Sequence, residues 1–403
     1  MNRNRLTRDA RLVLVLNALY VAADALCSIF VGVYLWINSL ELHVVCLHYL
    51  ALYAVTPVVF ILAGWYSQAR DRLHVYRLGL FLHAVYYGTI LYLREDAARL
   101  APLLGGLLGV TWGLFWAGNN VFNYDVSGKG RREYYFGWLS AVSGAAQLFA
   151  PMLAGFFIEF MPNGRAGYHT LFALAALLYL TAMALSLRMP PDKTPRPYHI
   201  RRALFPGKDQ RDWRMVMLAA FTLAGAFSLF NVLLGIVMFI ETGKEANVGL
   251  FASAQAMVGI LIAYTVGRMV TPRTRRRAML FSTCCLLAAG TIILWRFNIY
   301  TVIAFGFLRS LAGPLFEIPH SSVRFEVIEQ SAPAPGQHIE YIAAWEAPLA
   351  VGRVLMVGFL IALYLLAGMV AVRIVLFALC VNRFFTFLLL SRTSAMRHTA
   401  GRR

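Results

Sequence analysis

The sequence predicts an all-α membrane protein, with twelve transmembrane helices in two pseudo-symmetric six-helix bundles. Three observations predict it. Hydrophobic residues make up 60% of the 403-residue chain and charged residues only 14%, where a soluble domain carries roughly 25% charge. Apolar runs of about 20 residues, enough to cross the hydrocarbon of a bilayer, recur twelve times. The second half of the chain also repeats the first: Leu114-Phe115-Trp116-Ala117-Gly118-Asn119-Asn120-Val121-Phe122-Asn123-Tyr124-Asp125-Val126 runs in step with Leu315-Phe316-Glu317-Ile318-Pro319-His320-Ser321-Ser322-Val323-Arg324-Phe325-Glu326-Val327. Gly32 matches Gly235 and Gly64 matches Gly267 at nearly the same offset.

The expected spans, in order, are 12–37, 43–66, 75–93, 101–124, 134–160, 168–187, 215–240, 247–268, 277–296, 299–325, 339–366 and 371–391. Proline and glycine interrupt several of them, which lipid-buried helices tolerate when neighbours satisfy the freed backbone. Loops are short except at 188–214. That stretch is Pro-rich and basic (Pro190-Pro191-Asp192-Lys193-Thr194-Pro195-Arg196-Pro197, then Ile200-Arg201-Arg202-Ala203-Leu204-Phe205) and divides the spans six and six. It reads as a cytoplasmic linker with a short interfacial helix near 199–205. The expected domains are therefore an N-terminal bundle over 1–187, the linker over 188–214 and a C-terminal bundle over 215–403.

The net charge of +18 could point to nucleic acid, but its distribution excludes that. With the N-terminus inside, 27 of the 37 Lys and Arg residues fall on cytoplasmic segments and 6 on outer loops. The remaining four, Arg77, Arg309, Arg353 and Arg383, lie within spans. This is the positive-inside bias, and it places both termini in the cytoplasm. The basic loops suit anionic lipid headgroups. All five cysteines (Cys27, Cys46, Cys284, Cys285, Cys380) fall in spans without metal-site spacing, and read as packing residues. The segment after the basic N-terminus is long enough to span and is expected to stay as the first helix. No Asn-x-Ser/Thr acceptor occurs, which fits a bacterial plasma membrane. No P-loop, nucleophile elbow or metal constellation appears, so neither an ATP-driven motor, a hydrolase nor a cofactor enzyme is expected.

Six plus six spans, a central basic linker and inside termini resemble the major facilitator superfamily over nearly the whole chain. The family carries a Gly-x-x-x-Asp-Arg-x-Gly-Arg-Arg-type loop after its second and eighth helices. Here the first copy is Gly64-Trp65-Tyr66-Ser67-Gln68-Ala69-Arg70-Asp71-Arg72, with Gln68 at the Asp position. The second is Gly267-Arg268-Met269-Val270-Thr271-Pro272-Arg273-Thr274-Arg275-Arg276-Arg277, with Thr271 there. The resemblance implies that Gly64, Arg70, Arg72, Gly267, Arg275 and Arg276 help latch the cytoplasmic side, while loss of both Asp residues weakens the usual charge latch. In the fifth span, Gly144 and Ala150-Pro151-Met152-Leu153-Ala154-Gly155 resemble the signature of the family's antiporters, which tips the expected direction toward export. Asn119-Asn120-Val121 and Gly352-Arg353-Val354 resemble bacterial members with no assigned substrate.

Ionisable groups in hydrocarbon are costly unless they face a cavity or a partner, so each is a functional candidate. Asp24 is the sole acid near the middle of the first span, with Asn17 on the same helical face; its second-half counterpart is Phe227. Such an acid can hold a proton in one conformation and release it when rehydrated. Glu317 and His320 sit one turn apart on the tenth span, and Glu346 and Arg353 two turns apart on the eleventh. With a rise of about 1.5 Å per residue, Glu317 and Glu346 are expected level with each other, just below Arg309 and Arg353. A Glu–His pair can relay protons near neutral pH, and an Arg near mid-membrane can clamp a carboxylate or phosphate. The proton-coupling candidates are thus Asp24, Glu317, His320 and Glu346. The substrate-binding candidates are Asn17, Asn119, Asn120, Asn123, Asn231, Gln255, Arg309 and Arg353. For each of these, an internal ion pair or a hydrogen bond between helices is the competing reading. Arg77 and Arg383 are expected to support neighbours or snorkel, and His48 and His83 to be satisfied in the core.

The expected function is proton-coupled secondary transport of a small organic solute by alternating access, in a bacterial inner membrane, by a monomer with no cofactor. The alternative is a transport-inactive relative acting as a membrane sensor or assembly protein.

Overall fold

The computed structural model describes residues 6–127, 132–162, 164–189, 200–223, 229–332 and 338–397. Among them all regular structure is helical. Part of the expected linker (190–199) and Phe227 lie outside the described residues. The chain forms two compact units. Unit 1 comprises Met1–Tyr198 with Thr242–Ser253, and unit 2 comprises His199–Glu241 with Ala254–Arg403.

In unit 1, α1 (Arg8–Ser39) starts where the Thr7 hydroxyl accepts from the Ala10 amide at 3.1 Å. It ends at Leu40, whose left-handed φ of 55° stops the helix. Next come α2 (Leu42–Ala69) and α3 (Arg72–Leu93), the latter capped by Asp71 accepting from the Leu73 amide at 2.9 Å. A 3₁₀ turn over Arg94–Ala98 leads into α4 (Ala101–Ser127), followed by α5 (Arg132–Phe160) and α6 (Gly164–Ser186). Helix α4 lies along α2 at backbone contact. A Cβ at Gly105 would collide with the His48 carbonyl oxygen, and one at Gly109 would come within 2.8 Å of the Leu52 carbonyl. Glycines one turn apart on α4 remove the side chains that normally hold helices apart.

Unit 2 opens with the short α7 (Ile200–Leu204). It lies where a short helix is expected near 199–205, and it packs on the unit through Ala203, which is buried and whose carbonyl accepts from the Trp213 indole at 2.8 Å. The expected seventh span comes as α8 (Arg211–Leu223) and α9 (Leu229–Thr242) on either side of 224–228. Helices α10 (Glu245–Met269), α11 (Arg275–Trp295), α12 (Ile299–Ser331), α13 (His338–Ala367) and α14 (Val370–Leu390) follow, with a terminal turn α15 (Ser394–Arg397). The first turns of α10 belong to unit 1, where Ser253 accepts from the Met152 amide just after Pro151 at 3.1 Å. Trp213, Phe316, Val323, Val327, Tyr341, Leu349 and Phe387 anchor an apolar cluster of unit 2. Asp212 fastens α15 to the same end by accepting from the Ser394 amide at 2.9 Å and from its hydroxyl.

Ten helices among the described residues are long and apolar enough to cross a membrane. Of the other two expected spans, α3 is diluted by Arg72, His74, Arg77 and His83, and the seventh is described only in two parts, α8 and α9. The largest boundary difference is at α12, which runs to Ser331, six residues beyond the expected end. The polar tail of that helix contributes no hydropathy signal, but it still packs through Val327 and Ile328.

Candidate functional site

Asp24 lies on α1 of unit 1, half-buried, with no hydrogen bond or ion pair among the described residues. Tyr20, Cys27, Tyr49, Tyr87 and Tyr179 lie within reach of its charge. The rings around it are packed. Tyr20 stacks on Phe115 at 3.6 Å between centroids, and His83 stacks on Tyr179 at 4.7 Å. The Tyr179 hydroxyl is buried without a partner, so polar capacity is left over around this acid.

The other candidates of unit 1 divide. Asn17 shares a helix with Asp24, but its amide donates to Val13 at 2.9 Å and to Asn123 at 3.3 Å. Asn123 also accepts from the Tyr135 hydroxyl, which ties α1, α4 and α5 together. Asn119 is buried with its carbonyl oxygen unpartnered, whereas Asn120 is exposed. His48 is satisfied by Ala101 and Tyr86, and His83 by Gly79 and Thr111. Arg77 donates to the carbonyls of Ser186 and Met189, ending α6.

Unit 2 holds the dense charge. Using about 100° per residue, Arg309, Glu317, His320 and Arg324 fall on one stripe of α12 about 80° wide. Glu317 forms an ion pair with Arg383 of α14, a guanidinium only 4% exposed. Arg309, expected just above Glu317 on the same helix, also lies within reach of that carboxylate. The distances to the helix ends, on which the level placement of the two acids rests, differ. Because α12 runs on to Ser331, Glu317 is about 21 Å from that end, while Glu346 is only about 12 Å from the start of α13. Glu346 instead pairs with Arg353 of its own helix at 3.6 Å.

Arg324 lies 4.1 Å over the Trp345 ring and 4.8 Å over Phe325. Arg309 lies 5.1 Å from the Phe230 ring centre. The His320 ring is 1% exposed and stacks near Phe316, and neither of its nitrogens has a partner. The expected Glu317–His320 bond is therefore absent. Gln255 keeps a buried, unpartnered carbonyl oxygen, and Asn231 is exposed.

At the loops, Gly64 accepts from Ser67 at 2.9 Å, Arg72 is buried, and Arg70, Gly267 and Arg276 are exposed. Arg275 pairs with Glu326 at 2.9 Å, so the second loop keeps a charge contact despite Thr271. Arg324 escapes the sequence reading, and Arg383, expected to support a neighbour or snorkel, supports one through Glu317. Arg324 lies at the last turn of the expected span, yet carrying the stripe Arg309, Glu317, His320 one turn further reaches it. Arg383 lies on a helix expected to be peripheral, although an Arg in mid-span is itself the signal.

Long apolar helices that carry paired and unpaired charges define a polytopic membrane protein with polar groups held inside its spans. The chain belongs to the Major Facilitator Superfamily, which matches residues 16–318. It is 27% identical over 342 residues to the uncharacterized protein YqgE of Bacillus subtilis (strain 168), covering 85% of this chain and 79% of that protein. Its fold is similar to that of a POT family transporter in complex with 5-aminolevulinic acid, with a TM-score of 0.75, 11% identity and 96% of each chain covered. It is also similar to a bacterial homologue of the iron transporter ferroportin in an inward-facing state, with a TM-score of 0.67, 17% identity and coverage of 96% of this chain and all of that one. At such identities the structural likeness concerns the fold. Among the described residues no group of three His, Cys, Asp or Glu comes together to hold a metal ion.

Proposed function

We propose that this membrane transporter is a proton-coupled secondary transporter of a small organic solute, working by alternating access in a bacterial inner membrane with both termini cytoplasmic. The observation that carries the coupling is Asp24, a mid-span acid with no ion-pair or hydrogen-bond partner among the described residues, beside the buried Tyr179 hydroxyl, which also lacks one. An acid in that setting can carry a proton when dry and lose it when wetted. The lysine and arginine distribution supports the orientation. Export is favoured over uptake by the Pro151 segment. Its Gly155 lies so close to α10 that a Cβ would collide with the Glu245 carbonyl oxygen.

The test uses purified protein in liposomes with a pH-reporting dye inside. Solutes are screened for proton movement that depends on the protein. A solute that moves protons through the wild type, and exchanges through Asp24→Asn without moving them, supports the assignment. If no solute moves and none binds, the transport-inactive reading replaces it. The departures at Gln68 and Thr271 already speak for that alternative.

A further inference from the structure

The charges of unit 2 do not balance. Arg309 and Arg383 gather around Glu317, and Arg324 and Arg353 around Glu346, with Arg324 also within reach of the Glu317 charge. Each group has two guanidiniums and one carboxylate. In the second group Arg353 pairs with Glu346 while aromatic faces of Trp345 and Phe325 cover Arg324, a sound arrangement for a cation near the end of its helix. In the first group Arg383 takes the Glu317 carboxylate. Arg309 has the Phe230 ring against it and no carboxylate within 4 Å among the described residues, and it feels Glu317 only from beyond the Arg383 pair. It stands about 15 Å in from the start of a helix about 50 Å long, where an uncompensated guanidinium is most costly.

From this we infer that unit 2 binds an anion at Arg309, beside the Glu317–Arg383 pair, and that the transported solute carries a carboxylate or phosphate group. The inference rests on the transport reading for the word "transported" only; the anion site stands on the charge imbalance. A guanidinium presents a planar fork that matches either oxyanion. Half-buried Glu317 allows access to the pair, and Arg383, with a buried Nε that has no partner, retains donor capacity beyond its bond to Glu317. The incoming group therefore completes a two-Arg, two-anion arrangement. A lipid phosphate could offer the same chemistry, but Arg309 is too far along the helix from its end for a headgroup to be the natural occupant.

The experiment measures thermal unfolding of the full chain in phosphatidylcholine nanodiscs at constant ionic strength. Inorganic phosphate, succinate, citrate and glucose 6-phosphate are titrated against glucose and choline. At least one anion is expected to raise the midpoint saturably, and glucose and choline are not. Arg309→Gln is expected to weaken that anion by about tenfold or more, Arg309→Lys to weaken it less, and exposed Arg296→Gln to leave it unchanged. Arg309→Lys keeps the charge, so the comparison survives if Arg309→Gln does not fold.

The inference is overturned if no anion stabilises the wild type, or if Arg309→Gln and Arg309→Lys bind the anion as the wild type does. It is also overturned if stabilisation requires phosphatidylglycerol in place of an added solute. If an anion binds through Arg309 but shows no counterflow in liposomes, the site stands and the transport reading fails.

Discussion

Glu317→Gln removes the one carboxylate that Arg309 and Arg383 share. Arg383 is 4% exposed and Glu317 28% exposed, so the pair is substantially but not wholly dry. Breaking a buried ion pair by deleting one member costs about 3–5 kcal/mol, and the partial exposure of Glu317 places this case near about 3. For a unit of about 190 residues, that corresponds to a fall in unfolding midpoint of about 6–12 °C. The reciprocal change is expected to be milder. Arg383→Gln leaves Glu317 with Arg309 nearby, so about 1–2 kcal/mol is lost. The double variant keeps only Arg309 uncompensated and is expected to unfold above Glu317→Gln alone. The assay is intrinsic-fluorescence melting of the three variants and the wild type in one detergent. Equal shifts for the two single variants, or a double variant that simply sums them, would refute the shared-carboxylate account.

Three further outcomes follow from the packing. Gly105→Val drives side-chain atoms into the His48 carbonyl and is expected to abolish recovery of monodisperse protein, while Gly88→Ala, with open space around it, leaves the yield unchanged on size-exclusion chromatography. Trp213→Ala empties a fully buried site and frees the Ala203 carbonyl, so a loss of about 3–5 kcal/mol is expected, with faster hydrogen exchange through 200–204 read by mass spectrometry. Glu326→Gln weakens the charge contact to buried Arg275 by about 1–2 kcal/mol and is expected to raise exchange at 270–276 without changing the midpoint of unit 1.

Length and hydropathy carry most of the fold in the sequence, because a bilayer accepts only segments that satisfy their own backbone. The repeat around Phe115 and Phe316 is equally readable: both are fully buried. Partnership between charges is not readable. Glu317 has Arg309 and Arg324 within a few turns on its own helix, Arg353 on α13 and Arg383 on α14. Which one it takes depends on how α12 and α14 lie, and on a helix end that polar residues hide. The Arg309, Glu317, His320 stripe follows from periodicity alone. The absence of any bond between Glu317 and His320 follows from the His320 ring turning into Phe316 and Trp345. Asn17 shows the same limit: sharing a face with Asp24 does not stop its amide from serving Asn123.

The glycine seam between α2 and α4 has a mechanical consequence. Helices that touch through side chains can slide past each other by switching rotamers, the basis of shear motion. Along Gly105 and Gly109 there are no side chains to switch, and carbonyl oxygens of α2 lie directly on the α4 backbone. Any sliding would lift that whole contact at once, so α2 and α4 behave as a single stiff beam. A probe pair placed across the seam is then expected to report a constant distance even where other helices of unit 1 move.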